Sequence, residues 1–196
     1  MDKKKGILLV ALGTPRSCET EDVREYLKEF LGDPLVIQKP RWLWLPILNG
    51  IILKVRPQKS AEMYKQIWTD EGSPLMSYTI AQTEQLQGLR EDFDVRFAMT
   101  YGEPRIDKVI REMKESGVED ITVLPLYPQY SLTTVEPIIQ QVKKIDDKIN
   151  VIRDFHQIES YTDLLAESIR EKWQANHYDK LILSYHGIPL SYVTKI

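Results

Sequence analysis

His186 closes an apolar run, Lys180-Leu181-Ile182-Leu183-Ser184-Tyr185-His186-Gly187-Ile188-Pro189. Leu181 to Leu183 read as a buried strand, and Gly187 and Pro189 punctuate its end. A histidine at the carboxyl end of a strand stands where open α/β sheets place their ligands. A neutral imidazole there can accept a proton or hold a metal near neutral pH; it can equally satisfy backbone groups at the strand end. His156 follows Asp154 and Phe155. Asp154 and His156 could pair on a metal, although a strand-end hydrogen-bonding role fits them better. His177, near a helix end, reads as a surface residue close to the negative pole of the helix dipole.

Leu126-Tyr127-Pro128-Gln129-Tyr130-Ser131 is the second chemical segment. Tyrosine offers a flat apolar face with a polar tip, and Pro125 and Pro128 stiffen the backbone. Two tyrosines on a ligand-binding edge suit a planar aromatic molecule, or one of them is a core residue with a bonded hydroxyl. Gly13-Thr14-Pro15 allows a tight turn but is no phosphate loop, since neither GxGxxG nor GxxxxGK[ST] occurs. No HExxH zinc pattern is present, and no GxSxG elbow accompanies Ser184.

These groups need elements to position them. Strand-like runs at Ile7–Leu12, Val95–Thr100, Ile121–Leu126, Asn150–Arg153 and Leu181–Tyr185 alternate with helical patterns near Thr20–Leu31, Ile106–Glu115, Thr134–Lys144 and Tyr161–Gln174. Such alternation predicts an α/β fold, a parallel sheet with helices on both faces. Right-handed crossovers then gather the strands' carboxyl ends on one edge. That edge collects Leu12-Gly13-Thr14, Thr100-Tyr101-Gly102, Tyr127 to Ser131, and His186-Gly187.

Residues 32–60 break the pattern, with Pro34, Pro40, Pro46 and Pro57 around the apolar block from Trp42 to Leu53. Too apolar for a plain loop, this insertion predicts a helical lip over a flat ligand, a membrane-surface contact, or a cover for the core. Lys39, Arg41, Lys54 and Arg56 beside Trp42 and Trp44 also suit an anionic flat ligand. The composition is that of an ordinary soluble protein: 196 residues, 42% hydrophobic, 28% charged and a net charge of -3. That balance gives no reason to expect nucleic acid. The single cysteine, Cys18, excludes an internal disulfide and a four-thiolate metal site and fits a reducing, cytoplasmic setting. The short run after Lys3-Lys4-Lys5 reads as a first strand and not a signal peptide.

Four segments, in order, resemble the ferrochelatase family, whose members insert ferrous iron into a porphyrin. They are Gly6 to Pro15, Tyr64 onward through Gly72-Ser73-Pro74-Leu75, Leu126 to Ser131, and Leu181 to Pro189. The resemblance implies a Rossmann-like, chelatase-type sheet carrying an apolar lip, over roughly the first three-fifths of a two-domain enzyme. Residues 1–180 would form the amino-terminal domain, and 181–196 a strand and loop leading towards a second domain. His186 is implied as catalytic and metal-site residue, taking iron or removing pyrrole protons. Leu12, Arg56, Ser73, Thr100 and Tyr127 are implied as porphyrin contacts. Iron is substrate, with no permanent cofactor; peripheral membrane contact through residues 42–53 is a further expectation. In the family a glutamate from the second half faces the histidine, so the 196-residue chain alone is expected to be poorly active. Coproporphyrin III is the favoured porphyrin. The alternatives are a tetrapyrrole- or haem-binding module without chelatase activity and a chelatase for another tetrapyrrole such as sirohydrochlorin.

Overall fold

The computed structural model describes residues 4–192. β1 (Lys5–Ala11) lies between β2 (Phe93–Met99) and β3 (Asp120–Pro125), and the short β4 (Asn150–Val151) follows β3. All pairings are parallel, in the order β2-β1-β3-β4. β1 has a strand on each side and is buried on both faces, through Leu8 and Val10 on one and Leu9 and Ala11 on the other. Its run Ile7–Ala11 is therefore apolar at every position and not at alternate ones.

On one face Leu8 and Val10 pack with α5 (Ile106–Glu115) and α6 (Val135–Ile145), through Ile110, Met113, Ile138 and Val142. Ile106, Val109, Ile110 and Met113 are buried at helical spacing, which is why α5 has the bounds its sequence predicts. Towards the carboxyl edge a second cluster forms under α1 (Thr20–Gly32), whose Val23, Tyr26, Leu27 and Leu31 meet Leu48, Leu53, Ala61 and Tyr101. α4 (Pro74–Leu89) packs on β2 and β1.

The insertion is helical throughout. α2 (Arg41–Ile47), a π-helical turn (Leu48–Ile52) and α3 (Leu53–Ile67) follow without a break. Pro46 removes a helical backbone donor, and the wider turn begins two residues later. Arg41 Nη2 donates to the Gly32 carbonyl at 2.5 Å and Trp44 Nε1 to the Leu31 carbonyl at 2.8 Å. Both fill orphan acceptors at the end of α1, where a cation also meets the helix dipole. Trp44 is thus a structural cap, while its neighbour Trp42 is 79% exposed.

The fifth strand expected at Leu181–Tyr185 does not form. Residues 180–189 make no ladder, and Leu181, Ile182, Leu183 and Tyr185 are exposed. A strand needs a neighbour for its backbone groups, and β4 offers two ladder residues that pair with β3 alone. The fourth strand is correspondingly shorter than expected. α7 (Glu159–Gln174), just before this segment, has no buried residue.

At the outer edge of the sheet, Asp94 on β2 bonds Arg96 Nε at 2.8 Å and faces Lys4 Nζ at 3.4 Å. The Arg96 hydrogen bond, opposed by partial burial, holds the Asp94 carboxyl below the usual carboxylate range. A depressed folded-state pKa stabilises the fold above the unfolded value near ~3.9 and is lost as pH falls through the folded value. Asp94→Asn is expected to cost about 1 kcal/mol or less at pH 7. The difference between the thermal melts of variant and parent should shrink as pH falls below the unfolded value near ~3.9.

Candidate functional site

The carboxyl ends of β1 and β2 are joined by backbone contacts. Thr100 donates to the Ala11 carbonyl twice, from its amide and from Oγ1, each at 2.9 Å, and Tyr101 N donates to the Leu12 carbonyl at 2.9 Å. Gly13 has φ +112°, and a Cβ placed on it would lie 1.8 Å from the Tyr101 carbonyl oxygen. Gly102, at φ +85°, faces it from the other side, its would-be Cβ 3.0 Å from the Thr14 carbonyl. Only glycine combines these conformations with such an approach.

Carboxylates on and just after α1 fix the β2 loop. Glu29 accepts from the Gly102 amide and from Arg105 Nη1, each at 2.9 Å, and Asp33 accepts from the Tyr101 hydroxyl at 2.9 Å. Burial and then the Asp33 charge push the Tyr101 phenol up. Tyr26 is likewise pushed up by burial, then by the neighbouring Tyr64 and by the Glu29 carboxylate. Tyr127 is pushed up by burial, and it interacts electrostatically with both Tyr26 and Tyr101. Four neutral phenols therefore lie close together beneath this edge.

A cleft of about 600 Å³ opens above them. Thr14, Pro15, Trp68, Ser73, Met76 and Gly102 line it, with Arg16, Glu71, Glu103 and Arg105 among the charged groups at its margin. Its size is that of a small-molecule site. Ser73 is buried at the start of α4, between Gly72 at φ +99° and Pro74 as first helical residue. The cleft's charged lining is two arginines, Arg16 and Arg105, and five carboxylates, Asp22, Glu25, Glu29, Glu71 and Glu103, and both arginines are ion-paired within it.

The remaining expected residues are spread more widely. Leu12 is half-buried and packs with the α1 cluster. Thr100 is 3% exposed, and its hydroxyl is committed to Ala11. Tyr127 is half-buried, and its hydroxyl is buried without a hydrogen-bond partner among the described residues. Arg56 is exposed on α3 and is not among the cleft-lining residues. The structure thus brings Leu12, Thr100 and Tyr127 to one sheet edge beside Ser73's cleft and leaves Arg56 apart.

His186 is exposed on the unpaired segment and not at a strand end. The described chain returns to the sheet edge only at Tyr192, whose carbonyl accepts from Leu132 N at 3.1 Å. His156 Nδ1 lies 3.7 Å from Asp154 Oδ1, and its amide donates to the Pro128 carbonyl at 3.0 Å. Among the described residues no three His, Cys, Asp or Glu side chains group as a metal site. Tyr130 points inward: its hydroxyl donates to Glu136 at 2.8 Å under the Arg153 guanidinium, 4.1 Å from the ring centre. Burial and the Glu136 carboxylate push that phenol up to about 12.

Sequence reasoning missed Tyr26, Trp68, Met76 and Glu29. The signal for Tyr26 was its place in the buried stripe of α1; Glu29 carried none, because its partners lie in loops distant in sequence. Gly13→Ala is expected to cost at least about 2 kcal/mol, from left-handed strain plus the clash, as read by urea unfolding. Tyr127→Phe is expected to leave the melting temperature unchanged or raise stability by up to ~1 kcal/mol, because it removes an unpaired buried hydroxyl.

The ferrochelatase family model matches residues 4–196. A coproporphyrin III ferrochelatase of Lactococcus lactis is 90% identical over 195 residues, covering 100% of this chain and 62% of that protein. A coproporphyrin III ferrochelatase of Limosilactobacillus reuteri is 47% identical, covering 97% of the chain and 61% of its own length. A ferrochelatase of Vibrio atlanticus is 45% identical, covering 96% and 61%. The chain thus spans about three-fifths of the length of these relatives. The family model runs from the first strand through the His186 segment, and on that match the chain belongs to the ferrochelatase family.

Proposed function

We propose that the protein inserts ferrous iron into coproporphyrin III on the route to haem, and that this chain supplies one wall of the site. The cleft at the carboxyl edge carries the reading. Its lining joins the Thr14-Pro15 turn to Ser73, two of the segments through which the sequence resembles ferrochelatases. The 90% identity to a protein named coproporphyrin III ferrochelatase supports this porphyrin over others.

In this reading the macrocycle lies against Pro15, Trp68 and Met76, with Leu12 and Tyr127 forming the apolar ground beneath its edge. Ser73 donates a hydrogen bond to a propionate, and Arg56 attracts carboxylates from the lip. Thr100 acts at one remove, by holding the β1 and β2 loops in register. Two pyrrole N–H bonds break and iron exchanges its waters for the four ring nitrogens, so two protons must be removed. His186 takes those protons or holds the iron on its way in, and a neutral imidazole suits either task. Iron is consumed as substrate. The exposed position of His186 requires that its segment fold over the cleft in the working enzyme.

The test is anaerobic metalation of coproporphyrin III and protoporphyrin IX, followed by porphyrin absorption. It is run on this chain and on a chain of the relatives' full length, each with and without His186→Ala. Insertion should prefer coproporphyrin III, and His186→Ala should slow it by on the order of 10²-fold or more. Porphyrin binding without insertion by the full-length chain would identify a tetrapyrrole-binding module instead.

A further inference from the structure

We propose, resting on the porphyrin reading, that Glu29 is a positioning residue for porphyrin binding. From α1 it holds the loop after β2 in the shape the cleft requires, without attracting the ligand itself.

Asp22, Glu25, Glu29 and Asp33 follow one another at spacings of three and four residues. The first three lie on α1 and the fourth caps its end, so one face of the helix carries a row of carboxylates. Each takes a partner from a loop at the carboxyl end of a strand. Asp22 accepts from Ser17 Oγ at 2.5 Å, and Glu25 pairs with Arg16 at 2.8 Å, both in the loop after β1. Glu29 and Asp33 take the loop after β2, through Gly102, Arg105 and Tyr101.

The two halves of the row differ in strength. The side chains of Arg16 and Glu25 are 75% and 72% exposed, and such a pair contributes little. The close approach of Gly13 to the Tyr101 backbone already fixes that loop. Glu29 is 32% exposed, and its Oε2 accepts from a backbone amide, Gly102 N, while Oε1 takes Arg105. A carboxylate on a backbone N–H makes a charge-assisted bond, stronger than a neutral one. Gly102 is the residue in this loop with most conformational freedom to regain. On either side the chain is anchored by other bonds, Tyr101 N to the Leu12 carbonyl and Met99 N to the Pro104 carbonyl. Loss of Glu29 therefore frees Gly102 and Glu103 and leaves those anchors in place. Both freed residues line the cleft.

The sign of the effect separates positioning from direct contact. Glu29 also borders the cleft. A carboxylate acting directly on a porphyrin that bears carboxylates repels it, so its removal would tighten binding. Removal of a positioning bond loosens binding.

The test is steady-state metalation of coproporphyrin III by a chain of the relatives' full length, with porphyrin affinity read separately by fluorescence titration without iron. Glu29→Ala should raise both KM and Kd for the porphyrin about tenfold, the loss of one hydrogen bond to a charged group. Its kcat and its KM for iron should stay within about twofold, because an interaction equal in ground and transition states changes KM alone. Glu29→Gln, which keeps an acceptor for Gly102, should recover most of the affinity. Alanine is a good helix former, so α1 itself is not weakened. Arg111→Gln, which breaks an exposed pair with Asp107 on α5, should behave as the parent does. A fall in KM or Kd with either Glu29 variant overturns the proposal, since the carboxylate would then act on the ligand directly. An unchanged KM overturns it too, as does a drop in kcat at constant KM, the mark of a merely structural role, or a failure of Glu29→Gln to recover affinity. A parent that neither binds nor metalates coproporphyrin III overturns the porphyrin reading, and this proposal with it.

Discussion

The Ala11 carbonyl is where the architecture of this edge begins. It accepts two hydrogen bonds from Thr100, and the contact brings Gly13 against the Tyr101 backbone with no room for a side chain. Two strands that end together would otherwise splay into separate loops. Here the loops stay fused one turn beyond the sheet, and that extra turn forms the floor under Thr14, Pro15 and Gly102. Glu29 and Asp33 then fasten α1 to the same floor. The floor of the cleft is therefore tied to the sheet, although its walls come from loops and helices far apart in sequence.

Beneath the floor the chemistry is neutral. Tyr26, Tyr64, Tyr101 and Tyr127 offer hydroxyls whose ionisation burial disfavours. The charged groups of the cleft lie around them and are mostly acidic: Asp22, Glu25, Glu29, Glu71 and Glu103 against Arg16 and Arg105.

Much of this was legible in the sequence. α5 and α6 follow from the spacing of Ile110, Met113, Ile138 and Val142, and β1 from an apolar run too continuous for a half-exposed strand. Leu12, Thr100 and Tyr127 were correctly brought to one edge, because strand–helix alternation dictates parallel strands. Leu181–Leu183 carries an equally strong strand signal, yet a strand is a property of a pair, and no described strand pairs with it. Trp42 and Trp44 look alike in sequence. Their opposite fates depend on the unfilled carbonyls at the end of α1, which only the three-dimensional path reveals.

The lip is pinned to α1 at both ends. Arg41 and Trp44 grip the carbonyls of Gly32 and Leu31, and Arg24 Nε donates to the Leu53 carbonyl at 3.0 Å where α3 begins. The lip is thus a bracket and not a hinged flap, with α1 as its shaft. Glu29, five residues beyond Arg24, holds Gly102 and Arg105 from the same helix. The outer helices and the floor of the cleft thus share α1 as their common support.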